Sequence, residues 1–388
     1  MNPVLTVSTW HCSKEKLNPE IMKRIYTLIL IFCITVGFSQ PPAGYYNSAT
    51  GTGLTLKTQL YNIIKNHNDQ GYNAIDNFFT SHDIDIYYED DNTILDPYSE
   101  KPAGADAYNY QPDQANDICG NYNSEGDCYN PEHVIPQSVF SQSAPMRGDA
   151  HHLLPTDGRV NNFRSNYPFG VANTLVSQSG ITNPTTNGSK LGSNLNSGYS
   201  AGYSGTVFEP IDEFKGDIAR IYFYFTTRYQ NIIANWNSYA MFTPNNSGTV
   251  IAQPFLNILL TWNIMDPVSQ KEIDRNNDVY QYQGNRNPFV DNNNYVSMIW
   301  GAPLDMEDLD LESVSVYPNP AENHQVNISS GFHLTQLQLM NINGQIIRRI
   351  ENPVSKSSVY TLDNLPQGFY LLKITSDNKS TVKKIIVN

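Results

Sequence analysis

The chain has 388 residues, a formal net charge of −13 at pH 7, and 39% hydrophobic residues. This length allows two or three domains with a sizeable core, and it excludes a short tail or a small scaffold that depends on disulfides for its fold. The acidic balance means that a nucleic-acid ligand would have to find a local basic patch.

Residues 22–40 predict a cleaved secretory signal peptide. A short basic stretch precedes the apolar run Ile25–Phe38, and small or polar residues follow it. Because this run is shorter than the roughly 20 residues of a spanning helix, we expect cleavage rather than the alternative, a membrane anchor. Residues 1–21 lack such a pattern, so we expect translation to start at Met22.

Residues 41–301 predict a first domain in which helices dominate. Apolar residues recur at helical spacing in segments 54–64 and 218–229. The segment from Thr174 to Gly205 is a run rich in Asn, Ser, Thr and Gly, which predicts an irregular surface insertion without chemistry.

Two cysteines, Cys119 and Cys128, remain beyond the predicted signal peptide. Only a short loop separates them. In an exported protein this spacing predicts a disulfide, with two free thiols as the alternative.

The segment from Tyr129 to Phe169 concentrates polar groups in a weakly charged chain: one Glu, three His, two Asp and three Arg. Glu132 supplies a carboxylate oxygen, and Asn161 supplies an amide oxygen. Such oxygen ligands favour magnesium, manganese or calcium over zinc. The imidazole of His133 can act as a general base when it is neutral. The segment therefore predicts a one-metal phosphodiesterase site.

The local geometry allows these groups to meet. Adjacent residues of a regular strand point to opposite faces, but the prolines at 131 and 136 place the Glu-His pair at an irregular strand end. Thr156 or Asp157 can then cap a short helix. One face of that helix would carry Asn161, Arg164 and Ser165.

The composition changes after residue 301. Residues 302–312 are acidic and lack aromatic residues, which predicts a linker. Residues 313–388 alternate apolar and polar positions, and Asn343-Gly344 is a strong hairpin-turn dipeptide. These features predict a small C-terminal β-sandwich of about 75 residues.

Four blocks of the first domain are similar to successive blocks of the bacterial endonuclease I family. They are EHVIPQSVF, DAHHLLPTDGRVNNFRSNYPFG, GDIARIYFYFTTRY and WNIMDPVSQKEIDRNNDVYQYQGNRNPFVD. The resemblance implies a secreted, sequence-nonspecific nuclease of α+β fold, mainly helical, with a ββα-metal (His-Me finger) core. It implies His133 as the general base, Glu132 and Asn161 as metal ligands, and magnesium before calcium or manganese as the cation. The expected substrates are DNA and also RNA, cleaved to 5′-phosphate products.

The chain departs from the family pattern at Pro131 and Val139, where Arg and Trp often stand. An arginine that contacts the phosphate must then come from elsewhere. The candidates are Arg147, Arg164 and Arg286, of which we assign the first two to the catalytic site.

Other polar residues have two open interpretations. We expect the second strand of the ββα unit to carry Asp149, His151 and His152, one histidine facing the site and the other the core, and we favour a structural or orienting role over catalysis. The segment from Gln283 to Phe289 is polar and rich in turn residues, so it is expected either to contact a backbone phosphate or to brace the metal site. The residues concerned are Gln283, Asn285, Arg286 and Asn287.

The last domain is similar to the C-terminal sorting domain of the type IX secretion system. The similarity lies in VSVYPNPAENHQVNIS, LQLMNINGQII and LPQGFYLLKITSDNKSTVKKIIVN. It implies export by the type IX secretion machinery, followed by release or attachment to the outer-membrane surface. An adhesive or carbohydrate-binding β-module is the alternative.

Two other functions stay open at this point. A surface adhesin or glycan-binding protein would fit the β-module and the acidic charge. A zinc hydrolase could use His133, His151 and His152, although the chain lacks a helical HExxH pair. For the nuclease we expect a monomer without a stable membrane span.

Overall fold

The computed structural model describes an N-terminal region, which ends at residue 301, and a C-terminal region, which begins at residue 314. The described residues are 40–114, 116–233, 236, 239–243, 248–301, 314–329, 334–341, 345–351, 353, 359–376 and 379–387. The predicted linker 302–312 lies outside these residues, as do the predicted signal peptide 22–40 except for its last residue and the predicted turn Asn343-Gly344.

The first region is mainly helical. Its helices are α1 (Gly53–Ile64), α2 (Ile75–His82), α3 (Gly158–Arg164), α4 (Lys215–Arg228), α5 (Gln253–Met265), α6 (Gln270–Gln283), α7 (Pro288–Asp291) and α8 (Asn294–Trp300). Helices α1 and α4 confirm the helical periodicity of segments 54–64 and 218–229. None of the described helices is both long and apolar enough to cross a membrane.

Helix α4 forms the centre of the core. Its residues from Ile218 to Thr227 are buried on every side of the helix, as expected for a helix that lies inside a domain. It packs against α5, whose Leu259 and Trp262 are fully buried. The core therefore gives the neighbouring polar segments a rigid support.

Helix α6 has clear start and stop signals. Ser269 and Glu272 form a reciprocal capping box at its N-terminus. Gly284 follows its last residue with φ at 88°, a left-handed conformation that glycine adopts without strain. This turn redirects the chain into the polar segment that begins at Gln283.

Two short antiparallel strands and a helix form a ββα unit. Strand β1 (Tyr129–His133) pairs with β2 (Leu153–Asp157), so that Glu132 lies opposite Leu154. Helix α3 follows β2 directly, and the Asp157 side chain caps it by accepting from the Val160 N–H at 2.7 Å. The strand end and the capped helix were predicted. That the unit is a ββα-metal core stays a prediction.

The polar insertion from Thr174 to Gly205 is not irregular throughout, so that prediction was wrong. Strands β3 (Ala172–Leu175), β4 (Lys190–Asn194) and β5 (Thr206–Glu209) form an antiparallel sheet. Leu191 of β4 is buried in the main core. Leu175 and Leu195 are exposed, so few apolar side chains of the segment face inward and the alternation that would predict strands is weak.

The C-terminal region is all β. Its strands are β6 (Ser315–Glu322), β7 (Gln325–Ser329), β8 (Gln336–Asn341), β9 (Ile346–Glu351), β10 (Val359–Leu362), β11 (Gly368–Ser376) and β12 (Lys379–Val387). They form one seven-stranded sheet in the order β10-β7-β6-β12-β11-β8-β9. Both halves of the sheet bury side chains in one cluster. The α+β class is thus confirmed, whereas the predicted sandwich is one continuous sheet that must curve around its core.

Candidate active site

The ββα unit forms one wall of an open cavity of about 610 Å³. The lining residues that matter here are Tyr72, Asn130, Glu132, His133, Asn161 and Arg164. Strand β1 ends at His133, so the Glu-His pair escapes the strict alternation of a strand. The structure thereby brings together the residues that the sequence assigned to the metal and to the base.

Glu132 is held through one of its two oxygens. Its Oε1 accepts from the Tyr98 hydroxyl at 2.8 Å and lies 3.0 Å from the Arg164 guanidinium. No described residue donates to Oε2. Burial raises the pKa of Glu132 to about 6, against the opposing effects of Arg164 and Tyr98. The carboxylate therefore lacks part of the stabilisation that its negative charge requires, and a cation would provide it.

His133 is held as a neutral imidazole with a defined tautomer. Its Nε2 lies 3.1 Å from the Arg147 carbonyl oxygen, which can only accept, so Nε2 carries the hydrogen. No described residue bonds to Nδ1, which is left as an acceptor. Burial, together with the nearby His152, lowers the pKa of His133 to about 3. At neutral pH the imidazole is therefore unprotonated at Nδ1, while the same burial makes it a weaker base than a histidine in water.

Asn161 is fixed by another amide. Its Nδ2 donates to Oδ1 of Asn130 at 2.7 Å, and no described residue donates to Oδ1 of Asn161. Because the amide nitrogen is engaged, the oxygen is the atom that Asn161 keeps for a ligand. One carboxylate oxygen and one amide oxygen, with room for water, form a donor set that suits magnesium or calcium.

Arg164 is engaged within the protein. It is 1% exposed, and it donates to the carbonyl oxygens of His133 and Val134 at 3.1 and 2.7 Å. With its ion pair to Glu132, these contacts fit a residue that positions the wall better than one that grips substrate. Arg159 is similarly engaged with the carbonyl oxygens of Ser179 and Gly180.

The backbone and the side chain of Arg147 contact different groups. Its carbonyl oxygen holds His133, whereas its guanidinium lies 4.5 Å from the Tyr72 ring and lines a neighbouring cavity. The structure therefore places the Arg147 side chain beside the cavity that holds Glu132 and not within its lining.

His151 and His152 lie in a 3-10 turn (Ala150–His152) before β2, so their placement within the second strand was wrong. Both are buried, and their Nε2 atoms contact the carbonyl oxygens of Asn285 and Met146 at 3.1 and 2.6 Å. Among the described residues, these two histidines and His133 do not form a group whose ligand atoms lie close enough together to share a metal ion, so the three-histidine zinc site is not formed. Their placement fits the predicted orienting role.

Asp149 is the centre of a closed polar network. It is fully buried and accepts from the hydroxyls of Tyr224 and Tyr229, both at 2.8 Å, and from Gln283 at 2.7 Å. Burial alone would raise its pKa, but nearby histidines and these donors hold the pKa of Asp149 below its usual value. This network anchors the turn that carries His151 and leads into β2.

The polar segment after α6 is closed to solvent. Its four predicted residues are at most 4% exposed: Gln283, Asn285, Arg286 and Asn287. Asn285 donates to the Tyr224 hydroxyl and to the Ile64 carbonyl oxygen, and Arg286 pairs with Asp291. Of the two predicted roles, bracing the site matches this burial, and contact with a phosphate does not.

A disulfide joins Cys119 and Cys128, which confirms the predicted pairing. Cys119 lines the same cavity as Glu132. Within the loop, the Gly126 N–H donates to Asp157 at 2.8 Å. The disulfide loop is therefore tied to the residue that caps α3.

A separate group of acids lies away from this wall. Carboxylate oxygens of Asp85, Glu89 and Glu100 lie within 4.8 Å of one another. Burial, followed by the repulsion of neighbouring carboxylates, raises the pKa of Glu100 to about 9. None of the three lines the cavity of Glu132.

Sequence reasoning missed three residues of the site. Asn130 stands two positions before Glu132 on β1, and strand periodicity alone could have placed both on one face. Tyr98 is 34 residues from Glu132 along the chain. Tyr72 lies in a 3-10 turn, and its ring stacks on the His133 imidazole with ring centroids 5.5 Å apart. No local pattern in the sequence indicates either contact.

Two family profiles match the chain. The profile described as Endonuclease I matches residues 52–294, and the one described as Secretion system C-terminal sorting domain matches residues 315–388.

Individual relatives support the same assignment. The chain is 32% identical over 263 residues to an extracellular ribonuclease of Bacillus amyloliquefaciens, which covers 66% of this chain and 78% of that protein. It is 30% identical over 260 residues to an extracellular ribonuclease of Bacillus subtilis, and this match covers 66% of this chain and 78% of that protein. Endonuclease-1 of Buchnera aphidicola is 28% identical over 145 residues, or 37% of this chain and 45% of that protein.

Proposed function

This chain belongs to the endonuclease I family, and we propose that it is a divalent-metal-dependent nuclease that cleaves DNA and RNA without sequence preference to 5′-phosphate products. Membership of the family makes it a hydrolase that acts as an endonuclease, and the sorting domain makes it a secreted or surface-attached protein. The observation that carries the finer proposal is the meeting of Glu132, His133 and Asn161 on one cavity wall.

Glu132 and Asn161 are the residues that would hold the cation. Each engages one polar atom with the protein and keeps one oxygen, as the contacts of Tyr98, Arg164 and Asn130 show. The cation would supply positive charge against the phosphate oxygens and stabilise the charge that develops during cleavage.

His133 is the proposed general base. The Arg147 carbonyl oxygen fixes the hydrogen on Nε2, and the lowered pKa keeps the ring neutral, so Nδ1 can take the proton of the attacking water. The stacked Tyr72 ring limits rotation of the imidazole. The attacking oxygen then bonds to phosphorus, the bond to the leaving 3′-oxygen breaks, and this oxygen takes a proton from solvent and leaves as a 3′-hydroxyl.

RNA is included because the two relatives matched over 66% of this chain are named extracellular ribonucleases. The chain's net charge of −13 opposes polyanion binding overall, so substrate affinity must come from the cation and from local cations near the cavity.

The test is cleavage of supercoiled plasmid and of a long RNA with purified protein. We expect both to be cut, the activity to stop when EDTA is added, and magnesium, manganese or calcium to restore it. Restoration by zinc alone would favour a zinc hydrolase. Cleavage that persists in EDTA would overturn the metal requirement, and no cleavage with any of the four ions would favour the adhesin.

A further inference from the structure

A second cavity lies directly beside the one that contains Glu132. Its volume is about 670 Å³, against about 610 Å³ for the first, and the two share Tyr72 and Asn73 as a common wall. We call it the flank cavity and define it by its polar side chains: Asp69, Gln70, Asn73, Asn77, Gln142 and Arg147. Four of the six are side-chain amides, which both donate and accept hydrogen bonds.

Arg147 is the cation of the flank cavity. Its Nε is buried and has no hydrogen-bond partner among the described residues, and no described carboxylate forms an ion pair with it. Its guanidinium lies over the Tyr72 ring at 4.5 Å, a contact that offsets only part of the lost hydration. An incompletely paired guanidinium in a cavity is suited to an anion, and phosphate matches its geometry.

The wall between the two cavities is held rigidly. The Tyr72 ring stacks on His133 at an interplanar angle of 21°, while the Arg147 carbonyl oxygen accepts from the same imidazole. Gly148 packs so closely that a Cβ there would lie 2.7 Å from Oδ1 of Asp69 and 3.2 Å from the carbonyl carbon of Gly71. The backbone of Arg147 therefore has a fixed position relative to the proposed base, and its guanidinium lies against the ring that stacks on that base.

We propose that the flank cavity binds the nucleotide next to the cleaved bond, with its phosphate on Arg147 and its sugar on the neighbouring amides. The inference rests on the proposed function. A continuous strand would pass from one cavity to the next over the rim formed by Tyr72 and Asn73. Amides that contact phosphate and sugar fix the position of a strand without reading its sequence, which agrees with a nonspecific nuclease.

The inference is tested with oligonucleotides of two to eight nucleotides. We expect kcat/KM of the wild type to rise with length beyond the dinucleotide, mainly through a lower KM. In Arg147→Gln this gain should fall about 10- to 100-fold, as for the loss of a charge-assisted hydrogen bond. Arg147→Lys should retain part of the gain.

Binding in EDTA separates this inference from the proposed function, because it does not require cleavage. Fluorescence anisotropy of a labelled octanucleotide gives the dependence of log affinity on log salt. We expect Arg147→Gln to reduce that slope by about 0.7, the value for one phosphate contact on a single strand. Lys65→Ala is the matched control: Lys65 also lies over a tyrosine, Tyr61, but lines neither cavity.

A second pair of variants guards against damage to the turn that holds His133. Asn77→Ala and Gln142→Ala lie in the flank cavity and should each reduce the length gain about 2- to 10-fold, as for a neutral hydrogen bond. The inference is overturned if wild-type kcat/KM does not rise with length, or if Arg147→Gln slows all lengths equally and shifts the pH profile. If the wild type neither cleaves nor binds oligonucleotides, the proposed function fails with it.

Discussion

The cavity wall formed by Glu132, His133 and Asn161 and the network around Asp149 contain the same kinds of side chain, yet they differ in how completely those side chains are engaged. Asp149 accepts from two tyrosine hydroxyls, the Gln283 amide and the backbone N–H of His151. Glu132 accepts at Oε1 only. Both carboxylates are buried, so burial does not distinguish a structural carboxylate from one in a binding site. The two are distinguished by Oε2 of Glu132, which accepts from no described residue and belongs to a side chain that lines a cavity.

Electrostatics separates the two carboxylates in the same way. Donors and nearby histidines hold the pKa of Asp149 below its ordinary value, although burial acts in the opposite direction. For Glu132 burial prevails, and the pKa rises to about 6. The carboxylate with fewer donors is the one that would gain from a bound cation.

The largest expected effect is on the free energy of unfolding, and it results from changes in the Asp149 network. Asp149→Ala would leave several buried donors without an acceptor, so we expect a loss of about 3 to 5 kcal/mol in the free energy of unfolding. Tyr229→Phe, which removes one of these donors, should cost only about 1 kcal/mol. Urea denaturation measures both, and equal losses in the two variants would show that Asp149 does not centre the network.

The next effect is on metal binding, and it results from changes in the cavity wall that contains Glu132. Asn130→Ala would free the Asn161 amide to rotate, and we expect the magnesium concentration for half activity to rise about tenfold, as for the loss of an outer-shell partner. Asn130→Asp keeps the acceptor and should not raise it. Asn161→Ala should raise it at least as much as Asn130→Ala. An unchanged magnesium titration in Asn130→Ala would remove the positioning role.

The smallest effect is a pH dependence in the network. Burial lowers the pKa of His151 to about 3, whereas the unfolded chain binds that proton near pH 6.5. The unfolded state therefore gains protons first as the pH falls, and the folded state loses stability below pH 6.5. Relative to His151→Gln, the wild type should lose about 1 kcal/mol between pH 6.5 and 5.5. Parallel stability curves for the two proteins in EDTA would contradict this.

Local sequence patterns were sufficient to predict those features of the site that depend on residues close together in the chain. The prolines around Glu132, the Asp157 cap and the position of Asn161 on α3 all follow from neighbours within a few residues. The Cys119–Cys128 pairing and the strands of the last domain are equally local.

What the sequence could not predict depends on contacts between distant segments. Gln283 meets Asp149 across 134 positions, so a polar, turn-rich segment that looked open to substrate is instead closed by the fold. The histidine pair was misplaced because a 3-10 turn, capped by Asp149, begins where a strand was expected. Tyr98 and Tyr72 carry no pattern that distinguishes them from the other tyrosines.

The role of His133 as the base is tested most directly by the cleavage rate of His133→Ala at pH 7 with saturating magnesium, together with its magnesium titration. We expect a rate about 10²- to 10⁴-fold below the wild type, as for the loss of a general base, with an unchanged half-saturating magnesium concentration because Glu132 and Asn161 remain. A rate equal to that of the wild type would contradict the assignment of His133 as the base.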